Sequence, residues 1–237
     1  MFKNSYPKIR IAILHKGYFI MVSLITHNLI WTEGIVIVIV LLLTFMLGWF
    51  FFQPLAWISL LFFVFSFYFF RNPERYCFAP LDDSYAIISP ADGKIVDISY
   101  SPEGSFSGFE QKISIFLSPF DVHVNWIPLA GKIEAINYKA GKFMFAFLPK
   151  SSELNEHNDV LIRHSTGHLI GIRQIAGTVA RRIRCWIKPG EHVQSCQKYG
   201  MIKFSSRVDL FLPKEALIEV NIGQKVYGGQ TVIGRLL

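Results

Sequence analysis

The stretch Met201-Ile-Lys-Phe-Ser-Ser-Arg-Val-Asp-Leu-Phe-Leu212 indicates what kind of fold this chain builds. Its two flanks, Met201–Phe204 and Val208–Leu212, are short apolar runs with β-branched and aromatic residues, which are typical of β-strands. Between them stand two adjacent serines, Ser205 and Ser206. Such a pair most often belongs to a turn or a solvated strand, so by itself it indicates no chemistry.

The same texture extends over the C-terminal two thirds of the chain. From residue 76 onward the apolar runs are short and are separated by Gly and Pro. We therefore predict that residues 76–237 form a mainly β domain, either a sandwich or a distorted barrel, with at most a short helix near Ser151–His157. The further predicted strands are Ile87-Ile88, Lys94–Tyr100, Gln111–Leu117, Gly131–Tyr138, Val160–Arg163, Leu169–Ala176, Thr178–Ile187 and Thr231–Leu236.

An internal repeat supports this prediction. The segments Ser89–Ile95 and Ile127–Ile133 both place a Pro before a Gly-Lys-Ile strand start. The tail, Val220–Gly234, resembles half of the barrel-sandwich hybrid of biotinyl and lipoyl carrier domains. Its Gly-rich turns place Val226 and Val232 inward on short strands. A carrier function would need an exposed lysine at a hairpin tip, and none is evident, so this likeness concerns the fold alone.

Residues 1–75 have a different composition and are predicted to hold a helical membrane hairpin. Residues 34–70 contain no Asp, Glu, Lys, Arg or His, and Gln53-Pro54 divides them into two apolar segments. Each segment is close to the roughly 20 residues needed to cross a bilayer core. The hairpin could span the membrane or enter one leaflet and return. A buried hairpin of a soluble protein is less consistent with this pattern, because neither segment has a polar face.

The charges predict where the hairpin lies. The chain has a formal net charge of +7 without any nucleic-acid-binding motif, which favours attraction to anionic lipid over nucleic acid. Basic residues flank both ends of the apolar segment, which favours a cell (inner) membrane location with both ends and the β domain on the cytoplasmic side. These residues are Lys3, Lys8, Arg10, Lys16, Arg71 and Arg75.

The cysteines and the paired histidines do not predict a metal site. Cys77, Cys185 and Cys196 form no CxxC pattern, so we expect reduced thiols in a cytoplasmic domain. His164 and His168 flank Ser-Thr-Gly, which is typical of a hairpin turn, and no third ligand stands nearby in the sequence.

Three segments could carry chemistry, although each is weak alone. Asp92 precedes Gly93 at a strand start, which is usually a turn position. His123 lies in an apolar β stretch, where a histidine is more often part of the core. The third segment is the Ser205-Ser206 pair.

Together, in this order, the three segments resemble the phosphatidylserine decarboxylase family in its shorter proenzyme type. The resemblance covers most of the chain. Its other matching motifs are Phe69–Arg75, Asp121–Asn125, Gly141–Phe143, Ser151–Asn158, Gln174–Gly177, Ala180–Ile183, Gly200–Ile202 and Arg207–Asp209.

The resemblance implies a self-cleaving proenzyme. The chain would be cut between Ser205 and Ser206 into a β chain, 1–205, and an α chain, 206–237, which stay together as a heterodimer. Ser206 would become a covalent pyruvoyl cofactor, whose carbonyl serves as an electron sink. His123 with Asp92 would activate the Ser206 hydroxyl in an Asp/His/Ser arrangement.

The implied reaction is decarboxylation of phosphatidylserine to phosphatidylethanolamine and CO2. His123 is then the candidate proton donor to the substrate, and contacts with the lipid are expected from His157, Arg181 and Arg182. The chain departs from the family at three positions. Ser205 stands where the family usually has Gly, Trp126 stands where the shorter type commonly has Arg, and His157 stands where the shorter type tends to have Arg in its polar loop.

Two other interpretations fit the same sequence. The chain could be a non-enzymatic membrane adaptor with a carrier-like β domain, or a family member that no longer cleaves itself. Association of several copies into a homo-oligomer is compatible with each interpretation.

Overall fold

The structure, a computed structural model, describes residues 27–77, 85–102, 106–141, 154–177, 182–203 and 206–237. The chain divides into two compact units, Met1–Glu74 and Arg75–Leu237.

The first unit contains a helical hairpin. A π-helical turn, Ile30–Gly34, leads into α1 (Ile35–Phe51), and α2 (Gln53–Phe69) follows directly. The chain reverses at Phe52, whose backbone is extended (φ −158°, ψ 88°), and Pro54 lies in the first turn of α2, where its missing N–H costs nothing. The Ser59 hydroxyl donates to the Leu41 carbonyl at 2.6 Å, joining the two antiparallel helices.

The outer surface of the hairpin is apolar. Phe50, Phe51 and Leu61 are largely exposed. The helices approach closely at Gly48, where a Cβ would fall 2.7 Å from the Ala56 nitrogen. One helix among the described residues, Ile30–Phe51, is long and apolar enough to cross a membrane, with a mean hydropathy of 2.7, whereas α2 is shorter. The predicted N-terminal helical hairpin is confirmed.

The second unit is built from β-strands, as predicted. In the described ranges these are β1 (Ala86–Ile88), β2 (Gly93–Tyr100), β3 (Gln111–Leu117), β4 (Val124–Trp126), β5 (Gly131–Lys139), β6 (His157–Arg163), β7 (Leu169–Ala176), β8 (Ile183–Cys185), β9 (His192–Val193), β10 (Lys198–Ile202), β11 (Ser206–Leu212), β12 (Ala216–Ile218), β13 (Lys225–Val226) and β14 (Val232–Leu236).

Three antiparallel sheets share one core. The largest has the strand order β13-β2-β3-β11-β7-β6-β5-β9, and the two smaller ones are β1-β14-β12 and β4-β10-β8. β11 is therefore a central strand, paired along its length with β3 on one side and β7 on the other. Its Val208, Leu210 and Leu212 side chains belong to the buried apolar cluster. This arrangement confirms the mainly β fold class.

Some elements differ from the sequence prediction. The predicted strand Thr178–Ile187 is reduced to β8, and residues 178–181 lie outside the described part. Residues 151–153 of the short helix expected near Ser151–His157 also lie outside it. Leu154 is helical, but His157 begins β6, so the helix prediction is wrong at that residue. The turn expected between His164 and His168 is confirmed, because the His164 N–H donates to the His168 carbonyl at 2.9 Å between β6 and β7.

The prediction of three reduced thiols is wrong. Cys77 and Cys196 form a disulfide whose Cα atoms are 5.8 Å apart, and Cys185 is the free thiol among the described residues. No local pattern indicates this pair, because 119 positions separate the two cysteines and only the fold brings them together. Cys196 occupies a turn with a left-handed backbone (φ 64°).

Candidate active site

Ser206 is the first residue of the central strand β11 and is fully buried. It lies opposite Leu117 of β3 and Ala176 of β7. Its Oγ has no hydrogen-bond partner in the part of the chain that the structure describes. Ser205, which precedes it, and Arg181, the predicted lipid contact, lie outside the described residues.

The alternation of side chains places Ser206 on the core face of the sheet. Val208 lies on the same face and pairs with Gln174 of β7, so Gln174 is a diagonal neighbour of Ser206. Gln174 is fully buried. This corner of the core is therefore polar, unlike the aliphatic remainder.

His123 comes from the loop that leads from β3 into β4 and is fully buried. Its Nδ1 lies 2.9 Å from the main-chain carbonyl oxygen of Asp121. Because a carbonyl oxygen can only accept, the proton of the neutral ring is assigned to Nδ1, and Nε2 carries the lone pair. The Ile202 N–H donates to the His123 carbonyl at 3.2 Å. This bond holds His123 beside the end of β10, which leads towards Ser206.

The Asp121 side chain fixes the loop that presents His123. Its carboxylate accepts hydrogen bonds from the Ser118 N–H at 2.9 Å and the Ser118 hydroxyl at 2.8 Å, and it pairs with Lys225. Burial acts to raise the pKa of Asp121, but the hydrogen bonds from Lys225 and Ser118 outweigh it, so the pKa is lowered. The carboxylate therefore stays ionised and keeps the loop in place.

Asp92 is buried at the start of β2 and is held by three donors. Arg75 Nη1 and Nη2 contact its two oxygens at 2.5 and 2.8 Å, and the Gly228 N–H donates to Oδ1 at 2.8 Å. The Arg75 guanidinium also lies over the Trp126 ring, 4.6 Å from its centroid. The hydrogen bonds described for this carboxylate thus come from Arg75 and Gly228, and the one described on the His123 ring involves the Asp121 carbonyl.

The Asp92 and His123 segments are nevertheless neighbours. The Trp126 N–H, three residues after His123, donates to the Pro90 carbonyl at 2.9 Å. The structure therefore brings together the loops of Asp92 and His123 and the strand before Ser206.

The two described candidates for lipid contact differ in position. His157 pairs with Ile175, which in turn pairs with Arg207, so His157 lies on the sheet face opposite Ser206. The register therefore does not favour contact of His157 with the substrate atoms that would lie at Ser206. Burial and the charge of Arg173 lower the pKa of His157. Arg182 is exposed, and its carbonyl accepts from the Lys203 N–H at 3.4 Å, close to the segment that precedes Ser206.

Sequence reasoning missed three features of this site: the Arg75 clamp on Asp92, the Asp121 hydrogen bonds, and a chain of buried amides. The amide chain joins Asn158 to Gln174, 16 residues away, and Gln174 to Asn125, 49 residues away. The Ser-Pro-Phe-Asp run at 118–121 was a usable signal, because a Ser three residues before an Asp often closes such a turn.

Known proteins of similar sequence identify the family of this chain. The sequence model of the phosphatidylserine decarboxylase family matches residues 62–234. A phosphatidylserine decarboxylase proenzyme of Desulfotalea psychrophila is 45% identical over 186 residues, covering 78% of this chain and 86% of the relative. A protein of the same name from Syntrophus aciditrophicus is 42% identical over 206 residues, covering 85% and 95%. From the family match and these two relatives, the chain belongs to the phosphatidylserine decarboxylase family.

Proposed function

We propose that this chain decarboxylates phosphatidylserine to phosphatidylethanolamine and CO2, with a pyruvoyl group that it makes from Ser206 by cutting itself. One observation carries the proposal beyond family membership. The Ser206 hydroxyl is buried without a partner among the described residues, in a polar corner beside the His123 loop. An unpaired buried hydroxyl costs free energy, and such groups cluster where chemistry needs them.

The self-cleavage follows from the chemistry of these side chains. His123 Nε2 takes the proton of the Ser206 hydroxyl, and Oγ attacks the carbonyl carbon of residue 205. The bond from that carbon to the Ser206 nitrogen breaks and the nitrogen takes a proton, which leaves an ester. Loss of the Ser206 α-proton and breakage of the Cβ–Oγ bond then release residue 205 as a carboxylic acid. The remaining dehydroalanine tautomerises, and water replaces its nitrogen, which leaves as ammonia.

The polar residues around Ser206 are compatible with a pyruvoyl group formed from that serine. The group supplies a carbonyl that binds the substrate amine and withdraws electrons from the carbon that loses CO2. His123 Nε2 would then return a proton to that carbon. Arg182 is the described candidate to hold the anionic headgroup, and we retain Arg181 beside it in the sequence as a second candidate.

The products of the cut would stay bound to each other. The α chain, 206–237, contains β11 to β14. β11 is hydrogen-bonded to β3 and β7, while β14 lies between β1 and β12. The heterodimer would therefore be held by the same ladders that hold the uncut chain.

We further propose that the enzyme lies at the cell (inner) membrane with the β domain on the cytoplasmic side. The support for membrane attachment is the length and composition of Ile30–Phe51. The support for the side is the basic residues that flank the apolar segment, Arg71 and Arg75 among them, whereas the Cys77–Cys196 disulfide is of a kind that is rare in the cytoplasm and weighs against it.

The test is the intact mass of the full chain purified in detergent. We expect two chains, 1–205 and 206–237, the smaller without a free amino terminus and reactive towards hydroxylamine at its new carbonyl. Ser206→Ala should remain one chain and lose all decarboxylation of phosphatidylserine. The matched control is the neighbouring serine, since Ser205→Gly should still be cut.

Two results would contradict the proposal. A wild-type chain that stays whole at 27.2 kDa would support an inactive family member or an adaptor instead. Decarboxylation that persists in Ser206→Ala would remove Ser206 as the source of the cofactor.

A further inference from the structure

Three buried amide side chains form a hydrogen-bonded chain in the core. Asn158 Nδ2 donates to Gln174 Oε1 at 3.0 Å, and Gln174 Nε2 donates to Asn125 Oδ1 at 2.8 Å. All three side chains are at most 2% exposed. Each amide oxygen that accepts a hydrogen bond thereby faces its donor, so the row of three amides has one direction, from β6 through β7 to β4.

This direction leaves one N–H donor over, at the Asn125 end of the row of amides. Asn125 Nδ2 is buried and has no partner within the described ranges. Leaving such a donor unsatisfied costs free energy. Turning the Asn125 amide alone would break its link to Gln174, so its donor could be satisfied in that way only if Gln174 and Asn158 turned over with it. A buried donor kept in this orientation is suited to an oxygen that arrives during a reaction.

Asn125, which carries the leftover donor, is connected to the position of Ser206 through Gln174. Asn125 follows His123 by two residues, and Gly200, its partner in β10, precedes Ser206 by six. Gln174 is the diagonal neighbour of Ser206 across β7 and β11. The Gln174 amide packs against Gly200, where a Cβ would fall 2.9 Å from Gln174 Nε2 and 2.3 Å from the Arg184 carbonyl oxygen.

We propose that Asn125 Nδ2 is the oxyanion donor of the self-cleavage reaction. It donates a hydrogen bond to the carbonyl oxygen of residue 205, the group bonded to the Ser206 nitrogen, as Oγ attacks. In that step the new Oγ–carbon bond pushes the carbonyl π electrons onto the oxygen, and the Ser206 proton goes to His123. The negative oxygen is then stabilised by Asn125 until the carbon–nitrogen bond breaks. This inference rests on the function proposed above.

The first test is the rate of self-cleavage of newly made full-length chain, followed on denaturing gels. Asn125→Asp keeps the shape and the acceptor for Gln174 but removes the donor, and a missing oxyanion donor slows such reactions by about 100- to 1,000-fold. Ser114→Ala is the matched control. Ser114 Oγ is also buried without a partner in the described chain, but Ser114 pairs with Asp209 on the opposite face of the sheet. Ser114→Ala should be cut at the wild-type rate.

The second test keeps Asn125 but reverses the orientation of its side-chain amide. In Gln174→Glu, the carboxylate only accepts, so Asn125 turns its Nδ2 towards residue 174 and its oxygen towards Ser206. We expect cleavage to slow by a similar factor. Hydroxylamine, which cuts an accumulated ester, should not restore either slow variant, because both stop before the ester forms. A change that merely loosened the fold would slow elimination too and would leave an ester for hydroxylamine to cut.

The outcomes separate this inference from the proposed function. A wild-type chain that is never cut overturns both. A wild-type chain that is cut, with Asn125→Asp and Gln174→Glu cut equally fast, overturns the role of Asn125 alone. Rapid cutting of either variant on addition of hydroxylamine also overturns it, because the ester would then have formed without the donor.

Discussion

The largest sheet contains two halves that repeat each other, and they differ at the residue that carries a charge. In the first half, β13 pairs with the start of β2 through Val226 and Gly93; in the second, β9 pairs with the start of β5 through Val193 and Gly131. The strand order β13-β2-β3-β11-β7-β6-β5-β9 is symmetric about the β11–β7 pair. The internal repeat seen in the sequence is thus a repeat of structure.

The correspondence extends to single hydrogen bonds. The Gly223 N–H donates to the Ile95 carbonyl at 2.8 Å, and the Gly190 N–H donates to the Ile133 carbonyl at 2.7 Å. Both glycines have left-handed backbones, with φ of 92° and 86°. The ladders of β2 and β5 each shift register just after these isoleucines.

The two halves differ at the residue that precedes the glycine at the start of each strand. In the first half this is Asp92, whose carboxylate accepts from the Gly228 N–H and from Arg75. In the second half it is Ala130, whose N–H donates to the Ser195 hydroxyl at 2.9 Å. The same frame is therefore completed without any charge in one half. It follows that the turn does not require Asp92, which favours a role for this carboxylate beyond folding.

The largest expected effect comes from removing Arg75 alone. Arg75→Met leaves the buried Asp92 carboxylate without its ion pair, which should destabilise the β domain by about 3–5 kcal/mol. The double variant Arg75→Met with Asp92→Ala should lose much less, because the second half keeps this turn without charges. Denaturant unfolding of the β domain, followed by tryptophan fluorescence, measures both. Equal losses in the single and double variants would show that the two side chains are not coupled.

A second comparison sets Cys196 against Gly229, its counterpart in the first half. Both have left-handed backbones, with φ of 64° and 70°. Cys77→Ser removes the disulfide and should cost about 2–4 kcal/mol under oxidising conditions. Cys196→Gly removes the same bond but also relieves the left-handed backbone of a side chain, which is worth about 1 kcal/mol. It should therefore be the milder variant in the same unfolding measurement, and the reverse order would contradict this account of the turn.

The smallest effect is expected at Ser195, the counterpart of Gly228. Ser195→Ala removes the acceptor of the Ala130 N–H in a half-buried turn, so a loss of about 0.5–1.5 kcal/mol is expected. Self-cleavage should continue at the wild-type rate, since the Ala130–Ser195 turn contains none of the residues proposed to take part in the cut. Time courses of cleavage beside the unfolding curves test both statements. A cleavage defect here would mean that the two halves share the chemistry.

The sequence predicted the framework well where local pattern determines structure. Gln111–Leu117 and Leu169–Ala176 were predicted with the bounds that the structure gives, because β-branched residues and turn signals define both strands. β4 was not predicted, since a three-residue strand is too short for any period to show. Ser206 and His123 could be named as candidates from motifs alone.

The supporting groups of the site could not be predicted because they depend on distant contacts. Asp92 meets Gly228, which is 136 residues away, and Gln174 meets Asn125, 49 residues away. Nothing in the local sequence of Asn125 indicates which of its amide atoms would be satisfied. That property arises only when three strands from two sheets lie side by side.

The central place of β11 has a consequence for the life of the protein in the cell. Cys77 and Cys196 both precede residue 206, so no covalent bond among the described cysteines would join the two products after a cut, and reduction would not alter which chains stay together. A β chain that lost its small partner would expose the strand edges of β3 and β7, which β11 covers, and those of β1 and β2, which β14 and β13 cover, and bare edges invite aggregation. A used α chain could therefore not be exchanged for a fresh one. Each molecule would have a single cofactor for its whole lifetime, and renewal of activity would require synthesis of a new chain.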